Sequence, residues 1–362
     1  MTQRPILIMA GGTGGHVFPA LAIAAALRDR AQDIVWLGTR QGIEARLVPA
    51  AGISIEWVSV SGLRRKGWAA RLKAPLQIGR AVLESLAIIR RRRPAAVLGM
   101  GGFASGPGGL AAWLMRCPLI IHEQNAAAGL TNRLLARLAR VVLQAFPGSF
   151  NETSKVTTVG NPVREDIAAV APPAQRYTGR TGPLRLLVLG GSQGALSLNK
   201  TVPAAVRRLP ESMAVTVRHQ CGERTFAQAR AAYADSGIDV QLLPFIDDMA
   251  EAYAWADLVV CRSGALTVAE LCAVGLPALL VPYPAAVDDH QTANARPMAD
   301  AGAALIVEES GLTEESLAEH LKHWLRDRAE LQARAEIARA LATPDALRRI
   351  TDICLQQAGV AA

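Results

Sequence analysis

The chain has 362 residues, 51% of them hydrophobic and 19% charged, a balance that excludes a disordered polymer and allows two domains with separate cores. A formal charge of +8 points to anionic partners, while an aromatic share of only 4% argues against a single-strand nucleic-acid binder built on stacking platforms. Five scattered cysteines, Cys117, Cys221, Cys261, Cys272 and Cys354, include no C-x-x-C pair, which argues against a disulfide or metal framework and for a reducing compartment.

Arg4 precedes only "PILIMA" before glycines intervene, too little for a signal peptide. Residues 5–27 and 95–115 lack Asp, Glu, Lys and Arg, but glycines and Pro19 interrupt the first, and six glycines with Pro107 interrupt the second. Neither makes a continuous apolar span, so the chain reads as soluble and cytoplasmic.

In chain order, "PILIMA", "DIVWLGT", "AAVLGMG", "PLIIHE" and "VVLQAF" read as strands. "ALAIAAALRDR", "ARLKAPLQIGRAVLESLAIIRRRR" and "LTNRLLARLA" read as helices between them. "APPAQRYTGRTGP", Ala171 to Pro183, reads as a Pro/Gly-rich linker. The pattern then restarts at "LRLLVLGGSQGALSLNK" and continues through "AVTVRHQ", "DVQLLPF", "DLVVCRS", "PALLVPY" and "AALIVE". Strands alternating with helices indicate α/β architecture: two Rossmann-like, doubly wound parallel-sheet domains, with ligand sites expected at the carboxyl ends of the strands, around one cleft.

Each half opens on a glycine turn between strand and helix, where bare backbone and a helix N-terminus make an anion site. A dinucleotide reading fares poorly. With Gly12 and Gly14 as the first glycines of G-x-G-x-x-G, Val17 occupies the third place, and Thr39 and Arg40 stand where NAD needs an acid. Arg40 leaves a 2′-phosphate open, and neither loop is a Walker A.

The motifs "GGTGGHVFPALA", "GMGGFASGPGGLAAW", "HEQNAAAGLTN", "VGNPVR", "GGSQGA", "FIDDMAEAYAWADLVVCRSGALTVAELCAVGLPALLVPYP" and "HQTANA", in this order, resemble the bacterial cell-wall N-acetylglucosaminyltransferases that convert lipid I to lipid II, the MurG family. The resemblance covers nearly the whole chain. It implies a GT-B fold and inverting transfer from UDP-N-acetylglucosamine to the muramyl 4-hydroxyl of lipid I, without metal or other cofactor. It also implies peripheral attachment to the cytoplasmic face of the inner membrane, a role in cell-wall growth and division alongside other cell-wall proteins, and no nucleic-acid partner. Residues 1–162 would form the acceptor and membrane-associating domain, with a C-terminal helix at about 342–362 packing back on it, and 163–341 the donor domain. A UDP-N-acetylglucosamine epimerase of the same fold and a non-catalytic nucleotide-sugar-binding subunit are the alternatives.

The resemblance assigns ribose binding to Glu270 and phosphate contact to the turn at Ala265 and Leu266, with Thr267, Val268 and Ala269 in the same helix. Thr267 and Glu270 also have capping-box spacing, so a capping role stays open. Ser192, Gln193 and Gly194 belong to the second anion loop, and Arg164 offers it a cation. Ile246 is a backbone contact to uracil, and Asn125, Gln291 and Asn294 are sugar contacts. Asp247 and Asp248 read as loop or cap acids. Thr13, Gly14 and Gly15 would surround a donor or acceptor diphosphate, with His16 behind them either as general base or as a phosphate-positioning group. His122 and Glu123 are a second candidate pair, or a structural pin for their loop. Cys261 and Cys272 read as core residues.

Between Arg64 and Arg93 ten basic residues face one acid, Glu84, with Leu72, Leu76, Val82 and Leu83 interleaved. With Trp113 nearby by analogy, and Arg90, Arg91, Arg92 and Arg93 at the end, this reads as an interfacial contact with anionic phospholipid, or as a solvated helix whose leucines face the core.

Overall fold

The computed structural model describes residues 4–60, 68–191, 194–234, 236–286 and 289–360, with the backbone alone for 68–74. They fall into two compact units, Met1–Val163 with Asp345–Ala362, and Arg164–Pro344.

The first unit runs β1 (Ile6–Ala10), α1 (Gly14–Asp29), β2 (Ile34–Gly38), α2 (Glu44–Ala50), β3 (Ser54–Trp57), α3 (Trp68–Arg92), β4 (Ala96–Gly101), α4 (Ser105–Leu114), β5 (Leu119–Glu123), α5 (Leu130–Leu135), β6 (Val141–Gln144) and β7 (Val156–Thr158). Among the described residues the sheet order is β3-β2-β1-β4-β5-β6-β7, with parallel pairing throughout. β1 shows why a run such as "ILIMA" becomes a central strand. Ile6, Ile8 and Ala10 join one core with Ile23 and Leu27 of α1, and Leu7 and Met9 join a second with Ala111 and Ala112 of α4. Side chains alternate across the sheet, so a strand covered on both faces has to be apolar at every position. The edge strands β3 and β7 are additional to those read from the sequence.

The second unit runs α6 (Glu165–Ala168), α7 (Pro173–Tyr177), β8 (Leu184–Leu189), α8 (Leu196–Arg207), β9 (Val215–Gln220), α9 (Phe226–Tyr233), β10 (Asp239–Leu243), α10 (Met249–Trp255), β11 (Leu258–Cys261), α11 (Ala265–Val274), β12 (Ala278–Leu280), α12 (His290–Asp300), β13 (Ala304–Ile306), α13 (Glu314–Leu325) and α14 (Arg328–Ala340). Its parallel sheet is ordered β10-β9-β8-β11-β12-β13 among the described residues. The final helix, α15 (Ala346–Ala358), returns to the first unit. There Ile350 and Cys354 enter the α1 core, and Asp352 pairs with Arg30 at 2.6 Å. Cys261 and Cys272 are buried, and their thiols are pushed up to about 12 by desolvation.

The expected linker at Ala171–Pro183 is corrected. It contains α7, and Arg176 and Tyr177 are buried in the second unit. Arg176 Nη2 donates to the carbonyls of Val274 (3.0 Å) and Gly275 at the C-terminus of α11, where a cation suits the helix dipole. The Tyr177 hydroxyl donates to Asp257 O at 2.9 Å. These polar anchors replace the apolar periodicity that ordinarily marks a packed segment.

Candidate functional site

In the first unit, the carboxyl edge of the sheet gathers the loops after β1, β4 and β5. Gly102 has φ +85°, and a Cβ there would overlap the Gly11 carbonyl, so the loop after β4 lies directly against the loop after β1. Glu44, fully buried at the start of α2, accepts from Gly12 N (2.9 Å), Thr39 N (3.0 Å) and Thr39 Oγ1 (2.7 Å). Its carboxylate fixes the curvature of the first glycine turn. Thr13 is the N-cap of α1 and makes no side-chain cap, so the first N–H groups of the helix, at Gly14 and Gly15, have no intrahelical acceptor.

His16 is partly buried in the first turn of α1. Its Nδ1 lies 2.9 Å from Gln124 Oε1, and its ring packs over Gly101, where a Cβ would sit 2.9 Å from Nδ1 and Cε1. Of the two readings of His122 and Glu123, a second candidate pair or a structural pin, the geometry fits the pin. His122 is enclosed, with Nε2 3.0 Å from Gly160 O and Nδ1 3.1 Å from Gln124 Nε2, and burial pushes its pKa down. Glu123 Oε1 accepts from Asn125 N (3.0 Å) and Nδ2 (3.1 Å), and Oε2 from Gly129 N (3.1 Å) and Asn132 Nδ2 (2.9 Å). Every polar side-chain atom of the pair is engaged, which is the pinning arrangement. Asn125 is held by that pin and sits at its rim.

In the second unit, Ser192 and Gln193 lie outside the described residues. Gly194, at φ +75°, donates N–H to Gly191 O at 3.0 Å and has no room for a Cβ beside Cys221 O and Thr225 Oγ1. Helix α11 starts with Gly264 as N-cap, and no side chain caps it. Thr267 and Glu270 lie inside the helix, so they do not form a capping box. The first backbone bond, Val268 N to Gly264 O at 2.9 Å, leaves the amides of Leu266 and Thr267 before it directed at the helix N-terminus, where the dipole favours an anion. Ala265 leads this turn, and Ala269 continues the helix with Val268.

Glu270 accepts from the Tyr253 hydroxyl at 2.9 Å. Desolvation raises its pKa, with the Tyr253 bond and the charge of Arg164 opposing. Arg164 is itself exposed, its guanidinium 3.7 Å from Asp166. Asp248 caps α10 by accepting from Glu251 N at 2.8 Å. Ile246 is buried in the loop that leads to α10. Gln291 Oε1 accepts from Tyr283 N at 2.9 Å. Asn294, expected as a sugar contact, is wholly buried, with Nδ2 donating to Ser263 O at 3.2 Å beside the turn into α11.

Four residues of these sites carry no pattern that singles them out in the sequence: Glu44, Gln124, Tyr253 and Arg262. Arg262 pairs with Glu309, donates to Ser197 Oγ (3.1 Å) and stacks over Tyr283. Of these, Gln124 stands inside the motif "HEQN", Tyr253 and Arg262 inside the long motif that begins "FIDDM", and Glu44 outside every motif quoted above. Arg40, on which a 2′-phosphate reading depends, lies over the Trp57 ring at 5.1 Å.

Residues 6–144 match the model of the glycosyltransferase family 28 N-terminal domain, and 185–350 that of the family 28 C-terminal domain. A protein of Alkalilimnicola ehrlichii named UDP-N-acetylglucosamine–N-acetylmuramyl-(pentapeptide) pyrophosphoryl-undecaprenol N-acetylglucosamine transferase is 60% identical over 98% of this chain and 99% of its own length. The chain belongs to glycosyltransferase family 28. A like-named family member from Marinobacter nauticus is 53% identical over 98% of each chain. The crystal structure of Acinetobacter baumannii MurG has a TM-score of 0.85 at 40% identity, covering 98% of this chain and 99% of that one. A putative UDP-N-acetylglucosamine 2-epimerase from Listeria monocytogenes has a TM-score of 0.67 at 14% identity, over 97% and 95% of the two chains, a likeness of fold alone.

Proposed function

We infer that this chain transfers N-acetylglucosamine from UDP-N-acetylglucosamine to undecaprenyl-pyrophosphoryl-N-acetylmuramoyl-pentapeptide, forming lipid II for peptidoglycan. The observation that carries this is full-length identity of 60% to a transferase named for that donor and acceptor. The epimerase reading rests only on fold and gives way to it.

In the chemistry we propose, the muramyl 4-hydroxyl attacks the anomeric carbon, its proton passes to His16, and the bond from that carbon to UDP breaks with inversion. Glu270, held by Tyr253, receives the ribose hydroxyls, because an ionised carboxylate accepts several hydrogen bonds. The N-terminus of α11, the second glycine loop with Ser192 and Gln193, and Arg164 stabilise the leaving diphosphate in place of a cation. Thr13 and the amides of Gly14 and Gly15 receive a second diphosphate, while Asn125 and Gln291 contact sugar. The first unit then serves acceptor and membrane, and the second the donor.

Membrane attachment is peripheral in this reading. No helix among the described residues is long and apolar enough to span a bilayer. Leu76 and Leu83 of α3 are 79% and 68% exposed, and Trp113 of the neighbouring α4 is 48% exposed. Leu114 and Met115 are exposed beside Trp113, and Val82 is half-buried. Leu72 lies outside the residues with described side chains. Trp113, Arg116 and Arg140 line a hollow of about 240 Å³. The arginine run contributes less than its count implies, because Arg91 and Arg92 both pair with Glu56, at 2.6 and 2.7 Å. Arg90 and Arg93 supply the remaining charge of that run toward anionic lipid.

The test is turnover of labelled UDP-N-acetylglucosamine with and without lipid I. Acceptor-dependent UDP release with lipid II as product supports the transferase. Acceptor-independent isomerisation of the donor sugar, or donor binding without turnover, rejects it.

A further inference from the structure

Gly160 O, His122, Gln124 and His16 form an unbroken hydrogen-bond row, with steps of 3.0, 3.1 and 2.9 Å. Its polarity follows from the end that has no choice. A carbonyl oxygen only accepts, so His122 Nε2 carries a hydrogen. Burial pushes the His122 pKa down, so the ring is neutral and has no second hydrogen; Nδ1 is an acceptor. Gln124 must turn its amide nitrogen toward that atom, and the same nitrogen lies 3.2 Å from His122 O, a second acceptor. The reversed amide would set oxygen against both, leaving buried acceptors facing each other. Gln124 Oε1 therefore points at His16, and since an amide oxygen only accepts, His16 Nδ1 donates. The backbone of Gln124 is fixed in turn by Asn161 Nδ2, which donates to its carbonyl at 2.9 Å.

We propose that Gln124 is a positioning residue that selects the Nδ1–H tautomer of His16 and so leaves Nε2 with a bare lone pair for the acceptor proton. The proposal rests on the reading of His16 as general base. It assigns the interior histidine a task as well: His122 never meets substrate, and it sets the direction of the row that ends at His16. Gly101 lies close beside the ring, where a side chain of any size would displace it.

The experiment is long-range 15N–1H correlation on the full chain labelled with 15N-histidine, the His16 signals being assigned by their loss in His16→Ala. The wild type is expected to show His16 protonated at Nδ1 and unprotonated at Nε2. Gln124→Met, which keeps length and loses both hydrogen-bonding groups, is expected to give mixed tautomers and a kcat about 10- to 100-fold lower, within the range of a misdirected base, with donor KM unchanged. An Nε2–H signal in the wild type overturns the proposal, and this measurement needs no variant to fold as wild type. Gln124→Met with wild-type kcat and tautomer overturns it equally. Undiminished kcat in His16→Ala beside an Nδ1–H signal overturns the base and not the tautomer assignment, so the two failures are distinct.

Discussion

The Tyr253 phenol donates to the Glu270 carboxylate across 2.9 Å, from α10 to α11. That bond presents the carboxylate in one orientation and occupies only Oε2, which leaves Oε1 for a ligand. Truncating a buried acceptor of this kind costs about 1–3 kcal/mol, so Glu270→Ala is expected to raise the Kd for UDP about five- to 150-fold by calorimetry. Tyr253→Phe is expected to fall between it and the wild type. Unchanged UDP affinity in Glu270→Ala removes the residue from the nucleotide site.

Glu270 also makes a prediction about stability. Burial raises its pKa in the folded state, so its contribution to folding is present in full below the ordinary carboxyl value of 4.5 and is lost as pH rises through the raised value. At neutral pH, Glu270→Gln is therefore expected to melt at a higher temperature than the wild type, with the gap closing toward pH 4. Equal melting curves at pH 7 and pH 4 would contradict this.

The metal-free mechanism is tested by chelation. Among the described residues no three His, Cys, Asp or Glu side chains gather to hold an ion, and the diphosphate partners named above are amides and Arg164. Full activity is expected to survive EDTA. Loss that magnesium restores would require a cation on the donor.

Glu44 gathers three donors in a fully buried position. Glu44→Ala is expected to destabilise the fold by about 1–3 kcal/mol for each buried donor left without a partner, read as a lower denaturant midpoint. Activity should fall even where the protein remains folded, because the Gly12 turn loses its tether. A folded, fully active Glu44→Ala protein would show that the turn holds its shape unaided.

For the membrane contact, burial of one leucine is worth about 1.5–3 kcal/mol. Leu76→Glu with Leu83→Glu is expected to lower partitioning onto anionic vesicles by at least tenfold, with UDP binding retained. Wild-type binding should weaken as salt rises. Binding that is indifferent to both the substitutions and salt would place the contact elsewhere.

The strands covered on both faces were legible because burial there demands unbroken apolar runs, and the glycine turns because they follow those runs directly. β3 was not, since Ser54 and Glu56 interrupt it at the edge of the sheet. α7 was hidden for a different reason: what buries Arg176 is a set of carbonyls up to 99 residues away, which no local pattern encodes. His122 and Glu123 were visible as chemistry and undecided as to place, because reactive residue types at a strand end are the same whether they point outward or close a loop. Gln124, which joins His122 to His16, carries no reactive group to mark it in the sequence.

The contact of Gly102 with Gly11 has a last consequence. Where these two turns touch there is only main chain, without a methyl group between them. Whatever ligand group meets that surface is recognised by peptide dipoles whose strength no side-chain substitution retunes and no change of pH titrates. Discrimination among ligands there has to come from the surrounding side chains, while the bare seam stays the same for all of them.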